Sequence, residues 1–527
     1  MENSKIGYIV GEVNPTEFWF AVDEEKHPQR WDYVIVKSRE FVDGEEKEVY
    51  VLAQIETIIS HSLALNNPEL VNVKAVERML EEKLVEPRTL AKARVLGFIH
   101  NGEVFQPRRA IYPAEAVYLA PKEILETFYS YPKNESLFIG HLITRPEIPV
   151  FLSLKGFRRH LAILAQTGAG KSYTAGVLIE ELLKKGATIV VIDPHADYVF
   201  LSMTRDAKNY SNRITVFQTL KSTGRYNLPR KPEIYQVKFS DLSLDEIAFV
   251  CGIEERYTNI LRSLQNALNE LKDHKKDYSL ADLIETLKTP NDESDAESAF
   301  KALNYVNKLE KMNIFGDVTT DMFKILKPMH VSVMDLSGLE DRVSDYVTFR
   351  ILTEIYSLRE KSKFEFPVFV FIEEAHNFVP NKENTLSKGI IKRIAAEGRK
   401  FGVFLILITQ RPNKIDPDVL SQCNSQIIMR ITNPEDQKAV RTSSERMSED
   451  LLKDLPGLNI GEAIIVGEMT KVPVMVKIRQ RETKEGGADI DVVDSLQKAT
   501  EKAKEEERNK ELELKEIKKM MQITEGY

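Results

Sequence analysis

Cysteine is nearly absent from this chain, and so is any long hydrophobic run. The 527 residues include two cysteines, Cys251 and Cys423, too few and too distant for a disulfide framework or a metal cluster. The longest apolar run, at 403–408, is far shorter than a membrane-spanning helix. Residues 1–5 lack the basic segment and apolar core of a secretion signal. We therefore expect a cytoplasmic protein in a reducing compartment, without a membrane segment.

An excess of positive charge is also missing. Lysine and arginine total 73 against 81 for aspartate and glutamate, so the formal net charge is −8. No global basic field therefore indicates a nucleic-acid partner, and any DNA contact would need a local basic lining. With 42% hydrophobic and 29% charged residues, the composition is that of an ordinary soluble globular protein. The length allows about three domains and a sizeable core.

The stretch 161–174 has the pattern of a phosphate-binding loop between a short buried strand and a helix. Its glycines keep the loop narrow, so that backbone N–H groups and the positive end of the helix converge on a polyphosphate. Lys171 would reach the β and γ phosphates, and the Ser172 hydroxyl would complete the shell of a Mg²⁺ ion. Ala165 stands where the usual pattern opens with glycine, which is a mild change unless that position requires positive φ. A glycine-rich turn without a ligand is the alternative. The predicted nucleotide-binding residues are Ala165, Gln166, Thr167, Gly168, Ala169, Gly170, Lys171, Ser172 and Tyr173.

Two glutamates follow a second buried strand, at 368–372, and supply the acidic half of the predicted site. Glu373 takes the Mg²⁺-side position where aspartate is commoner, and Glu374 is the expected general base that activates water. Asp193, at the end of the strand 188–193, would assist Mg²⁺ or the attacking water. Because the carboxyl ends of parallel strands share one side of a sheet, these carboxylates should meet the phosphate loop there. The alternatives are an exposed N-capping pair for the glutamates and a plain strand-ending turn for Asp193.

Three further side chains are assigned by their position relative to the strands. Gln410 follows the strand 403–409 and is expected to hydrogen-bond the γ-phosphate or the attacking water, with a polar strand-end cap as the alternative. Arg399 and Arg159 precede strands, and therefore lie away from the nucleotide of their own chain. A cation placed there suits the γ-phosphate of a neighbouring subunit, as an arginine finger in trans, which would make the enzyme a ring. A surface salt bridge is the alternative for each arginine.

The order of strand and helix signals divides the chain into several parts. Short β-type runs with hairpin turns at 43–44 and 101–102 predict a small N-terminal β-barrel, interrupted by one helix near 73–84. From the phosphate loop onward, strands and helices alternate, which predicts a parallel sheet with helices on both faces and an edge strand at 472–478. A helical stretch at 243–312 interrupts this alternation, and we interpret it as an inserted bundle.

A highly charged helix is predicted at 492–521, after a break near 485–487. It is either a solvated single helix or an arm that braces a neighbouring subunit. The complete fold prediction is an α/β P-loop core with an N-terminal small β-barrel, an inserted helical bundle and a C-terminal helical arm. The predicted boundaries are 1–120 for the barrel, 121–137 for a linker, 138–242 and 326–484 for the ATPase core, 243–325 for the bundle and 485–527 for the arm.

Together, these motifs resemble the HerA family of DNA-translocating ATPases, in the FtsK and HerA branch of RecA-like motors. The resemblance rests on LAQTGAGKS at 164–172, IDPHADY at 192–198, IEEAH at 372–376, TQRP at 409–412 and VLSQCN at 419–424. The N-terminal β-region also resembles the barrel of that family, so the resemblance covers nearly the whole chain. The sequence departs from the family at Ala165, where glycine is more frequent, and at 195–198, where HADY replaces HGEY.

The resemblance implies a RecA-like core in a homohexamer that hydrolyses Mg²⁺-ATP at subunit interfaces and moves double-stranded DNA through a central channel. ATP and Mg²⁺ are the implied cofactors. A NurA-type nuclease dimer is the implied partner in DNA end resection and recombinational repair, with the double-strand-break repair nuclease complex as a further expected partner. The resemblance implies the roles given above for Lys171, Ser172, Glu374, Gln410, Arg399 and Arg159.

DNA contacts are expected from basic loops that line the channel, at 221–231 and 381–392. Phosphate contacts alone would make binding independent of sequence and sensitive to salt. The candidates are Arg225, Arg230, Lys231 and Lys388, each with ordinary solvated surface as the alternative.

Two other functions stay open at this point. One is a related ring ATPase that moves protein or conjugative DNA at a membrane. The other is an ATP-gated scaffold that regulates a partner enzyme, as an antiviral defence complex would. DNA-stimulated ATP turnover distinguishes a motor from a scaffold, because a scaffold has no reason to hydrolyse ATP faster on duplex DNA.

Overall fold

The computed structural model describes residues 4–65, 72–204, 210–222, 224, 226–275, 277–290, 293–312, 314–444, 446–486 and 492–524. Within these residues the chain forms an N-terminal β-barrel, a large mixed sheet flanked by helices, and a long C-terminal helix.

The N-terminal strands close into an antiparallel barrel. The elements of this region are β1 (Lys5–Val10), β2 (Glu17–Val22), β3 (Tyr33–Val42), β4 (Glu45–His61), α1 (Val73–Glu81), β5 (Arg88–His100), β6 (Glu103–Phe105) and β7 (Ala116–Leu119). The strands pair in the order β2-β1-β7-β3-β4-β5, and β5 pairs with β2 to close the ring, while β6 extends β5. The predicted barrel is therefore confirmed.

Two tight turns fix the register of the longest barrel strands. Asp43 and Gly44, between β3 and β4, have φ values of 55° and 84°. Asn101 and Gly102, between β5 and β6, have φ values of 50° and 82°. Two consecutive positive φ values match the twist of a two-residue hairpin, which is why Asp-Gly and Asn-Gly occur here. Both hairpins follow the sequence prediction.

A twelve-stranded mixed sheet forms the core of the rest of the chain. Its strands run in the order β13-β12-β16-β11-β17-β18-β10-β19-β20-β21-β8-β9, parallel from β13 to β19 and antiparallel beyond. The elements are α2 (Lys122–Tyr129), β8 (Ser136–Leu142), β9 (Pro149–Ser153), β10 (Leu161–Leu164), α3 (Lys171–Lys184), β11 (Thr188–Asp193), β12 (Ile214–Gln218), β13 (Glu233–Ile234), β14 (Val237–Lys238), α4 (Leu244–Cys251), α5 (Thr258–His274), α6 (Leu280–Lys288), α7 (Ala296–Val306), β15 (Phe315–Gly316), α8 (Met322–Ile325), β16 (His330–Asp335), α9 (Asp341–Glu360), β17 (Val368–Ile372), α10 (Leu386–Phe401), β18 (Val403–Thr409), α11 (Pro417–Gln422), β19 (Ser425–Ile428), α12 (Pro434–Ser443), α13 (Glu449–Asp454), β20 (Glu462–Val466), β21 (Val474–Ile478) and α14 (Val492–Thr524).

Both faces of the sheet are buried. In β10, Ala162 and Leu164 pack into one hydrophobic cluster, whereas Leu161 and Ile163 pack into the cluster on the other face. This burial explains why the central strands are continuous apolar runs. The carboxyl ends of β10, β11, β16, β17 and β18 lie on one side of the sheet, which we call the carboxyl rim, and the opposite side is the amino rim. The predicted parallel α/β core is confirmed in this part.

Two details of the predicted sheet were wrong. The run at 472–478 is not an edge strand, because β21 lies between β20 and β8. The hairpin β8–β9, which precedes the phosphate loop in sequence, adds to this side and makes β9 the edge. The strand β12 was missed. It is a short run whose neighbour β16 lies more than a hundred residues later, so no local signal joins the two.

The stretch predicted as a helical bundle contains α4, α5, α6 and α7. Two of these helices begin with a capping box, Ser243 with Glu246 and Ser279 with Asp282. Their buried side chains share one hydrophobic cluster with the sheet. The separate inserted bundle, and the domain boundaries given above, stay predictions.

After β21 the chain returns along α3. Residues 479–486, which we call the C-terminal strap, contact the buried carboxylates of that helix. The Thr483 N–H donates to Glu180 Oε1 at 2.8 Å, and Arg479 Nη2 lies 3.0 Å from Glu180 Oε2 and 2.9 Å from Glu181 Oε1. The helix α14 follows, and its residues 496–515 are exposed. Its role as an arm stays a prediction.

Candidate active site

The phosphate loop joins β10 to α3 on the carboxyl rim. Gly168 and Gly170 have φ values of 76° and 103°, which favour glycine at both positions. Gly170 directly precedes α3, so the free N–H groups of the first helical turn point into the loop. Ala165 is buried and does not belong to the described non-glycine residues with positive φ. Alanine therefore fits the position where the usual loop opens with glycine.

Lys171 is held by the two glutamates that follow β17. Its Nζ lies 2.7 Å from Glu373 Oε1 and 3.3 Å from Glu374 Oε1. Burial lowers the pKa of Lys171, but the two carboxylates outweigh burial and the net shift is upward. The lysine therefore stays charged, and it occupies the position from which the residue binds phosphate.

Ser172 has two carboxylates within reach of its hydroxyl. Its Oγ lies 2.7 Å from Asp197 Oδ2 and 3.4 Å from Glu373 Oε1. The other Glu373 oxygen, Oε2, accepts the Tyr198 hydroxyl at 2.7 Å. Burial raises the pKa of Glu373 in spite of the neighbouring Lys171 charge.

Glu374 lies in an unusual backbone conformation, with φ 47° and ψ 46°. Non-glycine residues at positive φ are uncommon and concentrate at functional sites. Its Oε2 lies 3.2 Å from His376 Nδ1, and the same nitrogen lies 3.0 Å from Thr409 Oγ1. Burial raises the pKa of Glu374, but the adjacent His376 ring and the Lys171 charge lower it by more, so the net shift is downward. Glu374 is therefore an ionised carboxylate: Oε1 accepts the Lys171 ammonium, whereas the buried Oε2, beside His376, accepts no hydrogen bond from the described residues.

The polar groups of the loop contact the ends of neighbouring strands. The Thr167 hydroxyl donates to Gln410 Oε1, which places Gln410 beside the loop. Gln166 Oε1 accepts the Thr432 N–H at 3.2 Å and the Thr432 hydroxyl at 2.9 Å. The contact with Thr167 places Gln410, the predicted γ-phosphate residue, against the loop.

Two residues of the predicted phosphate loop form hydrogen bonds with distant segments of the chain. The backbone oxygen of Ala169 accepts the Gly461 N–H at 3.0 Å. The Tyr173 hydroxyl accepts the Arg481 N–H of the C-terminal strap at 2.7 Å. A direct nucleotide contact by the Tyr173 side chain stays a prediction.

Asp193 supports the turn after β11. Its two carboxylate oxygens accept the N–H groups of Asp197, at 3.0 Å, and Tyr198, at 2.9 Å. The side chain is fully buried, and burial raises its pKa well above the usual range. This geometry supports the alternative of a strand-ending turn, and direct coordination of Mg²⁺ by Asp193 stays a prediction.

Sequence reasoning missed two residues that the structure brings into the site. Asp197 binds the hydroxyl of Ser172, and His376 binds Glu374. Both lie inside motifs that were recognised, IDPHADY and IEEAH. For Asp197 the one available signal was an acidic residue four positions after a strand end, and His376 had no comparable signal.

The groups around Ser172 suit a magnesium ion. Mg²⁺ prefers oxygen ligands and is usually held by one or two carboxylates together with substrate phosphates and water. Ser172 Oγ, Asp197 and Glu373 supply such oxygens next to the phosphate loop. Within the described residues, no three His, Cys, Asp or Glu side chains could hold a metal by themselves. The ion would therefore be shared between Ser172, one of these carboxylates and the phosphates.

Comparison with known proteins identifies the family of this chain. The model of the central domain of helicase HerA matches residues 137–355, and the HerA-like C-terminal model matches residues 261–483. The DNA double-strand break repair helicase HerA of Sulfolobus acidocaldarius is 31% identical over 520 residues, which cover 94% of this chain and 97% of that protein. This chain belongs to the HerA family. A probable helicase of Methanocaldococcus jannaschii is 32% identical over 525 residues, covering 94% of this chain and 95% of the relative.

As a HerA-family member with this phosphate loop and acidic pair, the chain is a P-loop ATPase. Among solved structures, VirB4 of Thermoanaerobacter pseudethanolicus is similar, with a TM-score of 0.49 and 16% identity over 67% of this chain and 98% of that one. A search of the described residues finds no helix with the length and hydropathy of a membrane span.

The two arginines of this HerA-family chain lie on the amino rim. Arg159 precedes β10, Arg399 lies in the last turn of α10 before β18, and both are exposed. Among the described residues, neither has a carboxylate within 4.0 Å, so the salt-bridge alternative finds no partner. His160 packs between their elements: its Nδ1 accepts the Leu405 N–H at 2.9 Å and its Nε2 lies 3.1 Å from Ala395 O. Burial lowers the pKa of His160 to about 4, so the ring is neutral at pH 7.

The candidate DNA-contact residues differ in the contacts that their side chains make in the structure. The Lys388 ammonium donates to the backbone oxygens of Pro380, Asn381 and Glu383 at 2.7–3.3 Å and so stabilises a loop, which favours the alternative of a structural role; its DNA contact stays a prediction. The Arg230 guanidinium binds Glu233. Lys231 is exposed, and Arg225 lies outside the described residues. DNA contacts by Arg225, Arg230 and Lys231 stay predictions.

Proposed function

We propose that this chain is a Mg²⁺-ATP-dependent translocase and helicase that acts on double-stranded DNA as a homohexamer. The observation that carries the proposal is the division of catalytic groups between the two rims. Lys171, Glu374 and Gln410 meet on the carboxyl rim, whereas Arg159 and Arg399 are exposed on the amino rim. In a ring, the amino rim of one subunit faces the nucleotide of the next, which completes the site.

The carboxyl rim can perform the chemistry of ATP hydrolysis. The phosphates of ATP take the place of the glutamates as partners of Lys171, and this exchange releases Glu374 to accept a proton. Water attacks the γ-phosphorus, the bond to the β–γ bridging oxygen breaks, and Glu374 receives the proton from the water. Mg²⁺, when bound, neutralises charge on the phosphate oxygens.

One strand connects the two rims. Gln410 follows β18 at the carboxyl rim, and Arg399 precedes the same strand at the amino rim. Because β18 is hydrogen-bonded to both β17 and β10, it is a rigid connection between the two rims. This link supports sequential hydrolysis around a ring.

The relatives supply the substrate class and the biological setting. The relative of Sulfolobus acidocaldarius is named a DNA double-strand break repair helicase, and the relative of Methanocaldococcus jannaschii a probable helicase. We extend this role to the present chain, with a NurA-type nuclease dimer as its partner in DNA end resection. The barrel ring would dock the nuclease and the ATPase ring would hold the duplex.

The test compares ATP hydrolysis with and without linear duplex DNA, together with displacement of a third strand from a triplex. We expect wild-type hydrolysis to rise severalfold on duplex DNA and the third strand to be displaced. Glu374→Gln should lower kcat about 100-fold or more while ADP affinity changes less than about threefold, because the base acts in the chemical step. Glu340→Gln, an exposed carboxylate on the same rim, should behave as wild type.

Two other outcomes would contradict the proposal. An ATP-gated scaffold would hydrolyse ATP at the same rate with and without DNA and would displace no third strand. Full activity of Glu374→Gln would contradict the assignment of the general base.

A further inference from the structure

The hydroxyl of Ser172 must give its hydrogen bond to one acceptor. A serine that coordinates Mg²⁺ does so through an oxygen lone pair, so its single proton has to point away from the ion, toward an acceptor. A carboxylate is the strongest such acceptor, because charge-assisted hydrogen bonds are shorter and stronger than neutral ones. The choice of acceptor therefore orients the serine oxygen.

The acidic residue after β17 is poorly placed for this task. Glu373 Oε1 lies 3.4 Å from Ser172 Oγ and already accepts the Lys171 ammonium at 2.7 Å. Its other oxygen accepts the Tyr198 hydroxyl at 2.7 Å. Asp197 Oδ2, by contrast, lies 2.7 Å from Ser172 Oγ.

The backbone of Asp197 is fixed from two directions. Its N–H donates to Asp193 Oδ1 at 3.0 Å, and its carbonyl oxygen accepts the Gly486 N–H of the C-terminal strap at 3.0 Å. The strap is packed tightly at this point, since a Cβ on Gly486 would come within 2.3 Å of Ala196 O. The carboxylate of Asp197 is therefore presented to Ser172 by a built turn.

We propose that Asp197 is the positioning residue for the magnesium ion. It accepts the hydrogen bond of Ser172 and so turns the lone pairs of that hydroxyl toward the ion, a task that falls to Asp197 in the β11 turn rather than to Glu373. The inference rests on the proposed function, because it presupposes a Mg²⁺-nucleotide at this loop. It also ties the C-terminal strap to the metal side of the site.

The test measures ADP affinity of the full-length chain by calorimetry, over a range of Mg²⁺ concentrations and in EDTA. Groups that orient metal ligands typically contribute 10–100-fold to metal affinity. We expect Asp197→Asn to raise the Mg²⁺ concentration for half-maximal enhancement of ADP binding about tenfold or more, with metal-free ADP affinity not reduced. Asp197→Glu, which keeps the carboxylate, should restore most of the enhancement, and Glu340→Gln should behave as wild type.

A double-mutant cycle tests the route through Ser172. If Asp197 acts through that hydroxyl, Asp197→Asn should have almost no further effect on the Mg²⁺ requirement in a Ser172→Ala background. Additive effects, or an unchanged Mg²⁺ requirement in Asp197→Asn, would overturn the inference. ADP binding in EDTA checks that each variant is folded. A wild-type chain that binds no ADP would overturn the proposed function itself, and this inference with it.

Discussion

Glu374 is held by its contacts in a conformation that is otherwise unfavourable. A non-glycine residue in the left-handed region costs about 1–3 kcal/mol. Lys171 and His376 contact one carboxylate oxygen each, and His376 also reaches Thr409, the residue before Gln410. His376 therefore joins the proposed general base to the strand that carries the proposed γ-phosphate residue.

We expect His376→Ala to lower kcat about tenfold near neutral pH, because Glu374 loses one of its two positioning contacts. Since the adjacent His376 ring lowers the pKa of Glu374, its removal should raise that pKa. The acid limb of the kcat–pH profile should then move to higher pH. His376→Asn, which keeps an N–H donor, should recover part of kcat. A profile that stays in place in His376→Ala would show that His376 does not act on Glu374.

Individual residues were predictable from sequence where strand ends fixed their position. Lys171, Glu374 and Gln410 each follow a buried strand or loop, and the parallel sheet brings them together as expected. Asp197 and His376 lie one turn beyond a strand end, where the direction of the side chain depends on tertiary contacts. The loop contacts of Lys388 were not predictable, because a long lysine side chain can reach nearby carbonyls, which sequence does not reveal.

At the scale of elements, His160 holds neighbouring segments together at the amino rim. Its neutral ring joins the segment before β10 to α10 and β18. With a pKa of about 4 when folded, against an ordinary value of 6.5, the ring binds a proton only after unfolding in the window between these values. Stability from this site is therefore fully present above pH 6.5 and is lost as the pH falls toward 4.

We expect the unfolding free energy of the wild type to fall by about 2 kcal/mol from pH 7 to pH 5 because of this histidine. His160→Gln, which keeps a donor and an acceptor but does not titrate, should lose correspondingly less over the same interval. Urea unfolding of both proteins at the two pH values measures the difference. The exposed His27→Gln is the control and should keep the wild-type pH dependence. Equal losses in wild type and His160→Gln would contradict a neutral buried His160.

Glu180 anchors the C-terminal strap. Its Oε1 accepts the N–H groups of Glu482 and Thr483 and the Thr483 hydroxyl at 2.8–3.0 Å, and its Oε2 lies 3.0 Å from Arg479. Arg481 is almost fully buried beside it. Removing this carboxylate takes away one of the two buried carboxylates beside Arg479, which keeps Glu181, and the one carboxylate found within 4.0 Å of Arg481 among the described residues.

We expect Glu180→Ala to destabilise the strap by about 3–5 kcal/mol, the usual cost of breaking a buried ion pair. Glu180→Gln, which keeps an acceptor oxygen, should cost less. Hydrogen exchange at the amides of Glu482 and Thr483 should be fastest in Glu180→Ala, slower in Glu180→Gln and slowest in wild type. Unchanged exchange in Glu180→Ala would show that the strap does not depend on this contact.

Whole elements were predictable where a local pattern was complete. The Asp-Gly and Asn-Gly turns, the barrel strands and the central parallel strands follow from alternation, apolar runs and turn residues. The position of β21 was not predictable, because the hairpin that covers it comes from a distant, earlier part of the chain. The role of the charged helix α14, as a solvated single helix or as an arm, stays a prediction.

At the scale of the whole molecule, two arginines without a carboxylate partner among the described residues lead us to expect an active site shared between subunits. Arg159 and Arg399 lie on the amino rim, exposed and, among the described residues, without a carboxylate partner. An arginine finger in trans is worth about 10³–10⁵ in rate. If the proposed ring forms and either arginine acts in trans, one inactive finger should disable the active site of its neighbour, and coupling between sites should spread the effect.

The most direct test of a shared site is ATP hydrolysis on linear duplex DNA by wild type mixed with rising proportions of Arg399→Ala. We expect strong DNA stimulation that falls much more steeply than the fraction of variant added. Lys363→Ala, an exposed cation before β17 on the same rim, serves as the matched control and should leave hydrolysis unchanged when mixed. Hydrolysis that ignores DNA and falls only in proportion to Arg399→Ala would contradict both the translocating ring and the arginine acting in trans.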